Sequence, residues 1–144
     1  MHHFSNNSNK KLDTCHKDLQ LILRTSISIC PIDFGIAEGH RSIALQKKYF
    51  DEGKSKIDGI TKTGKHNSKP SMATDIYLFI NGKASWDNET LSYVMGHINA
   101  VAEMLFAQGK ITHKIRWGGN WDMDGEILLD QSFDDRPHIE LIKA

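Results

Sequence analysis

His66 and Asp75 stand close together in Lys65-His66-Asn67-Ser68-Lys69-Pro70-Ser71-Met72-Ala73-Thr74-Asp75, and His138 stands near the end in Asp135-Arg136-Pro137-His138-Ile139-Glu140. Two imidazoles and one carboxylate are enough to hold a zinc ion and leave a fourth position for water. Zinc acidifies such a water and polarises a carbonyl. Asp135, three residues before His138, is a carboxylate placed to take the water's proton. The pattern predicts a hydrolytic centre with His66, Asp75 and His138 as ligands and Asp135 as base. Spacing alone leaves a second reading, in which the two histidines are polar residues at strand ends and Asp135 belongs to a solvated acidic turn.

Other residues offer chemistry around this set. Arg41, in Glu38-Gly39-His40-Arg41-Ser42, falls where a strand gives way to a helix. Its guanidinium suits a substrate carboxylate or an oxyanion; a structural salt bridge is the equal alternative. Trp117-Gly118-Gly119-Asn120-Trp121 sets two tryptophans around a glycine pair. They suit the wall of a substrate groove, with core packing the alternative and a better one for Trp117 than for Trp121. Asn120, Asp122, Asp124 and Glu126 place oxygen ligands at alternate positions of a calcium-type loop, with Gly125 sixth. Gln131 stands where a bidentate Glu is usual, so an acidic surface turn competes with weak Ca2+ binding.

The elements that must position these residues are legible from periodicity. Leu12, Cys15, Leu19, Ile22 and Leu23 recur at helical spacing and predict one amphipathic helix over about residues 9–28. Residues 32–37 alternate as a short strand. Ser42 caps a second helix running to about Glu52, with Gly53 as its stop. Residues 53–72 show little periodicity and read as a long loop that delivers His66. Ala73 to Ile80 reads as a strand with Asp75 opposite its apolar face. Asn81-Gly82 signals a turn. Asp87 or Asn88 caps a long helix to about Gln108, striped by Leu91, Val94, Met95, Ile98, Val101, Ala102 and Leu105. Lys114–Trp117 and His138–Ile142 read as strands, with a second long loop between them. In the last strand His138 and Glu140 share one face.

The 144 residues suit one domain, 1–144, with residues 1–8 expected to be flexible. Lys+Arg and Asp+Glu are both 18, but residues 1–70 carry 12 basic and 7 acidic side chains while residues 71–144 carry 6 and 11. No basic run with interleaved aromatics argues for nucleic acid. Cys15 and Cys30 form no CxxC and read as reduced and at least half buried. No apolar stretch suits a signal peptide or a membrane span. The expectation is a soluble monomer made in the cytoplasm, needing another factor to release it.

Five segments taken in order resemble one family. Glu38-Gly39-His40-Arg41-Ser42, Lys65-His66-Asn67, Pro70-Ser71-x-Ala73-x-Asp75, Trp117-Gly118-Gly119-x-Trp121 and Pro137-His138-x-Glu140-Leu141 resemble the zinc peptidases related to lysostaphin, the D-Ala-D-Ala peptidases and the hedgehog domain. Within that group they are most similar to phage L-alanyl-D-glutamate endopeptidases. The His66-to-Asp75 interval is longer than in the common pattern and contains Pro70; phage-type members carry this longer form. The resemblance implies an α+β fold, a small antiparallel sheet flanked by helices, around one Zn2+. It implies ligands His66, Asp75 and His138, base Asp135, Arg41 on the transition state, and His40, Trp117 and Trp121 on substrate. It also implies an endolysin that cuts the L-Ala–D-Glu bond of peptidoglycan for host lysis, reaching the periplasmic wall through a holin-type pore. Two other functions fit the same residues: a D-Ala-D-Ala carboxypeptidase or dipeptidase, and a non-catalytic, zinc-stabilised wall-binding domain.

Overall fold

The structure is a computed structural model that describes residues 1–124 and 135–144. Its elements are α1 (Asn6–Leu12), α2 (Lys17–Ile29), β1 (Phe34–Glu38), α3 (Ile43–Asp51), a 3-10 turn (Lys65–Asn67), β2 (Ala73–Ile80), β3 (Lys83–Ser85), α4 (Asn88–Ala107), β4 (His113–Trp117) and β5 (His138–Lys143). The sheet runs β1-β2-β5-β4, every pair antiparallel. β3 and β5 share one edge of β2, β5 at its start and β3 at its end. This is the α+β arrangement expected, a small antiparallel sheet with helices.

One apolar core joins helices and sheet. Leu19, Ile22 and Leu23 of α2, Leu91, Val94 and Ile98 of α4, and Ile36, Ile76, Leu78, Ile139 and Leu141 of the sheet are all buried in it. Removing this much aliphatic surface from water is the main force closing the domain. The α4 stripe appears as predicted, with Asp87 accepting the Thr90 N–H as its cap and Leu91 through Leu105 buried. Ser42 caps α3 by accepting from the Leu45 N–H.

Three boundaries differ from expectation. The single helix over 9–28 is two helices, broken at Asp13–His16. There the chain is drawn against Ser71: His16 N–H donates to the Ser71 carbonyl and Ser71 N–H to the Thr14 carbonyl, while the His16 ring accepts the Asp18 N–H and starts α2. The apolar stripe survives the break because Leu12 and Cys15 both remain buried. Residues 6–8, expected to be flexible, form the start of α1, and the Ser8 hydroxyl accepts the Ile36 N–H. β3 was not expected; Asn81 and Gly82 both take positive φ, the geometry of a two-residue hairpin turn, and return three residues to β2.

The sheet sets up a row of polar residues on the face away from the core helices. Asp75 pairs with His138 across β2 and β5, and with Glu38 across β1 and β2. Glu38 reaches that row only through a bulge. Ile36 pairs with Ile76 and Glu38 with Asp75, so Ala37 is an extra residue. Without the bulge, strict alternation would turn Glu38 to the core face with Ile36.

Candidate metal centre

The 3-10 turn carries His66 over the β1–β2–β5 row. His66 Nε2 lies 3.3 Å from Asp75 Oδ1 and 3.2 Å from His138 Nδ1. His138 Nδ1 lies 3.0 Å from Asp75 Oδ1. The outer nitrogens of both rings are already committed as donors. His66 Nδ1–H donates to the Gly39 carbonyl at 2.8 Å, and His138 Nε2–H donates to Glu140 Oε1 at 3.0 Å. The two inner ring nitrogens therefore present lone pairs to each other and to a carboxylate oxygen. Three acceptors converge on one point with no donor among them. Only a cation or an added proton relieves that arrangement, so the residues fit a metal.

Without a metal, a proton takes that place. Burial would lower the His138 imidazole, but its hydrogen bonds to Asp75 and Glu140 override it and raise the group to about 9. Burial likewise opposes the charge on Asp75, yet the bonds from His138 and His66 hold its carboxyl far below the ordinary carboxylate range. Glu140 is buried, and His138 and Arg116 together pull it down to about 2. Its second oxygen accepts from Arg116 at 2.9 Å and lies 3.5 Å from Lys65 Nζ. The Lys65 ammonium also donates to the Leu141 carbonyl.

Asp135 sits at the edge of this set, its Oδ2 3.9 Å from His138 Nδ1. Burial and the neighbouring Asp75 charge push its carboxyl up, outweighing His138, His66 and Arg41. A carboxylate raised in this way is a better proton acceptor near neutral pH. Its backbone is pinned: Asp135 N–H donates to the Gly118 carbonyl, and His138 N–H to the Asp135 carbonyl. A Cβ at Gly118 would lie 2.0 Å from the Asp135 oxygen. Gly118 thus serves close approach to Asp135, and Gly119 close approach to the Trp117 ring.

Arg41 lines the cleft but spends its guanidinium on the protein. Its Nε and one terminal nitrogen grip Glu38 at 2.8 and 2.7 Å, and the other donates to Gln46 Oε1 at 2.9 Å. Asp75 Oδ2 is 3.7 Å away, and the Tyr49 ring lies beneath at 4.9 Å. Trp121 lines the same cleft, 5.3 Å from the His138 ring. Trp117 packs on the core, donates from Nε1 to the Arg136 carbonyl, and is not among the cleft residues; neither is His40. Of the calcium-type residues, Asn120, Asp122 and Asp124 are described and Glu126 lies outside the described residues.

A second cluster with metal-ligand chemistry, His16, Asp18 and His113, lies at the far end of β4. Here the donors are internal. Asp18 Oδ2 accepts from His113 Nδ1, Thr112 N–H and His113 N–H, and the His16 Nδ1 lone pair takes the Asp18 N–H. These groups satisfy one another and clamp α2 to β4. The lone-pair convergence at His66, Asp75 and His138 has no such internal answer.

A family model described as phage L-alanyl-D-glutamate peptidase matches residues 1–142. The chain belongs to the phage L-alanyl-D-glutamate peptidase family. The L-alanyl-D-glutamate peptidase of Escherichia phage T5 is 29% identical over 142 residues, which cover 96% of this chain and 97% of that protein. Among solved structures, the Serratia marcescens L-Ala D-Glu endopeptidase ChiX matches with a TM-score of 0.73 and 21% identity, over 97% of this chain and 90% of that one. At that identity the likeness is one of fold.

Within this phage peptidase fold, several cleft residues were not singled out from sequence. Glu38, Gln46, Tyr49, Trp86 and Glu140 line the cleft with Arg41 and the histidines. Glu140 had a signal, since it shares a strand face with His138. Glu38 stands in the first of the five family segments, but its place beside Asp75 had no signal, because it depends on the bulge.

Proposed function

We propose that this protein is a zinc peptidase that hydrolyses the L-Ala–D-Glu bond of peptidoglycan stem peptides, acting as an endolysin. Family membership supports the reaction. The observation that carries the site is the convergence of His66 Nε2, Asp75 Oδ1 and His138 Nδ1 with no donor between them. Zinc bound there would polarise the scissile carbonyl and acidify a water.

The protein's own groups supply the rest. Asp135 takes a proton from the attacking water, whose oxygen bonds to the L-Ala carbonyl carbon. As the C–N bond breaks, Asp135 passes that proton to the D-Glu nitrogen. Gly118 holds Asp135 through its carbonyl. Glu140 keeps the proton of His138 on the outer nitrogen, and the Gly39 carbonyl does the same for His66. Arg41 adds positive charge beside Asp75 and holds the bulged Glu38. Trp121 walls the cleft beside His138. The site lies in a cleft of about 1020 Å³, roomy enough for several residues of a peptide.

Among the described residues no helix is long and apolar enough to cross a membrane. In this reading the chain acts as a monomer and meets the wall after release through a holin-type pore. Mass spectrometry of Gram-negative muropeptides tests the reaction, with and without chelator. New fragments beginning at D-Glu, lost with chelator and restored by Zn2+, are the expected result. Loss of terminal D-Ala alone would replace this reading with a carboxypeptidase; wall binding without cleavage would replace it with a binding domain. Cleavage that responds to added Ca2+ with Zn2+ held saturating would assign a role to the calcium-type residues Asn120, Asp122, Asp124 and Glu126.

A further inference from the structure

The loop between α3 and the 3-10 turn has a composition and an attachment that the hydrolytic reading does not use. Residues 52–64 carry three lysines, Lys54, Lys56 and Lys62, and two acids, Glu52 and Asp58, and Lys65 opens the 3-10 turn that follows. Lys54, Lys56, Lys62 and Lys65 all line the cleft. Asp58 does not line it; its carboxylate turns back on its own loop, accepting the N–H groups of Ile60, Thr61 and Lys62. Asp58 is thus spent on folding the loop, while Lys54 pairs with Glu52 at 3.4 Å and Lys65 with Glu140 at 3.5 Å.

The loop is bolted to the catalytic side of the cleft. Gln46 is almost fully buried, 2% exposed, although it is polar. Its amide nitrogen donates to the Ser55 hydroxyl at 2.8 Å and the Ile57 carbonyl at 2.7 Å, while its oxygen accepts from Arg41. Gly59, at φ +80, lies against the Gln46 side chain, where a Cβ would come within 2.9 Å. One side chain thus ties the loop to Arg41, whose guanidinium lies 3.7 Å from Asp75.

The charge balance of the cleft favours an anion. Of the four carboxylates lining it, Glu38, Asp75 and Glu140 already face Arg41, the two histidines, and Arg116 with Lys65, and Asp135 lies 3.9 Å from His138, against the guanidiniums of Arg41 and Arg116 and four lysines. Lys62 is exposed and has no ion-pair partner among the described residues. A peptide joined through the D-Glu γ-carboxyl keeps a free α-carboxylate, and a diamino diacid after it adds a second carboxylate together with an ammonium. The side before the scissile bond, an amide-linked lactyl group and L-Ala, carries no charge. All the anionic groups therefore follow the bond that breaks.

Resting on the proposed reaction, we infer that Lys54, Lys56 and Lys62 form the subsite for the carboxylates after the scissile bond, so that the enzyme selects stem peptides with a free rather than an amidated D-Glu α-carboxyl. This also orients the substrate, with its leaving-group side along the 54–62 loop. Exposed charge pairs are individually weak, so three lysines together give a preference of roughly tenfold, one that declines with added salt.

The test uses two synthetic stem peptides identical except for a D-Glu or a D-isoglutamine residue. Binding is measured on the zinc-loaded Asp135→Asn variant, and kcat/KM on the wild type. Both are repeated in a Lys54→Gln/Lys56→Gln/Lys62→Gln variant and in the corresponding triple Lys→Arg variant. The expected result is tighter binding and about tenfold higher kcat/KM for the acid peptide, carried by KM. That preference should collapse in the Gln variant and persist in the Arg variant. Equal binding of the two peptides, or a preference unchanged in the Gln variant, overturns the subsite. A binding preference that follows the lysines, with neither peptide cleaved by the wild type, upholds the subsite and removes the hydrolytic reading instead.

Discussion

At the scale of the residue, His138 is where charge, metal and stability meet. Its ring is held between Asp75 and Glu140, which raise it to about 9 in the metal-free protein. An unfolded histidine titrates near 6.5. The folded form therefore binds more protons between those values, and stability falls as pH rises. Metal-stripped protein should be most stable on this account below about pH 6.5 and lose that contribution through about 9, as read by denaturant melts across pH. On the proposed assignment zinc would remove the dependence by taking the proton's place, so a zinc-loaded protein melting with the same slope would sink the ligand assignment. Asp135→Asn should keep full zinc occupancy, measured by mass spectrometry, and lose activity by a factor of roughly 10² or more. His138→Ala should lose both. Glu140→Gln keeps a hydrogen-bond acceptor but not the charge, and should weaken zinc binding by about 10- to 100-fold, as measured by competition with a chromophoric chelator.

At the scale of the element, the turn after β4 carries a steric demand that composition does not advertise. Gly118 sits where a side chain would strike the Asp135 carbonyl at 2.0 Å. Gly118→Ala should cost about 1–3 kcal/mol of stability and lower kcat through displacement of Asp135, with zinc content preserved. An active, wild-type-stable Gly118→Ala would show that Asp135 is free to move without cost. The Trp117-Gly118-Gly119 motif was legible as a functional segment, but its reason was not. From sequence the two tryptophans suit a groove wall, with core packing the better alternative for Trp117; Trp117 packs on the core, Trp121 lines the cleft, and Gly118 is a point of close backbone approach. The helix expected over 9–28 shows the same limit. Its stripe was legible because Leu12, Cys15 and Leu19 all face the core; its break was not, because it depends on Ser71, more than fifty residues away.

At the scale of the whole molecule, the buried Asp18 carboxylate joins α2 to the start of β4 across 94 residues of sequence. Burial would raise its carboxyl, but the bonds from His113 and Thr112 hold it below the ordinary value. A depressed carboxyl stabilises the fold above its unfolded pKa and loses that contribution as acid brings pH down through the folded one. Asp18→Ala leaves the Thr112 and His113 N–H groups without their acceptor and should cost about 1–3 kcal/mol for such a buried group. It should also flatten the acid limb of the stability curve while leaving zinc affinity unchanged, since His16 and His113 lie apart from the candidate metal centre of His66, Asp75 and His138. A fall in zinc occupancy in this variant would mean that the two clusters are coupled through β4.

What the chain determines by itself is the kind of protein it is. Local patterns specify the helix caps at Ser42 and Asp87, the α4 stripe, β2 and β5, and the order of the segments around His66, Asp75 and His138, because each depends on residues only a few positions apart. The five segments in order also carry the family. Tertiary structure alone decides how those segments become a site. The bulge that turns Glu38 toward Asp75, the Glu140 carboxylate that orients His138, and Gln46 joining Arg41 to the lysine loop all rest on contacts between distant parts of the chain. Such contacts are selected by packing and hydrogen-bond satisfaction over the whole domain, and no local periodicity encodes them.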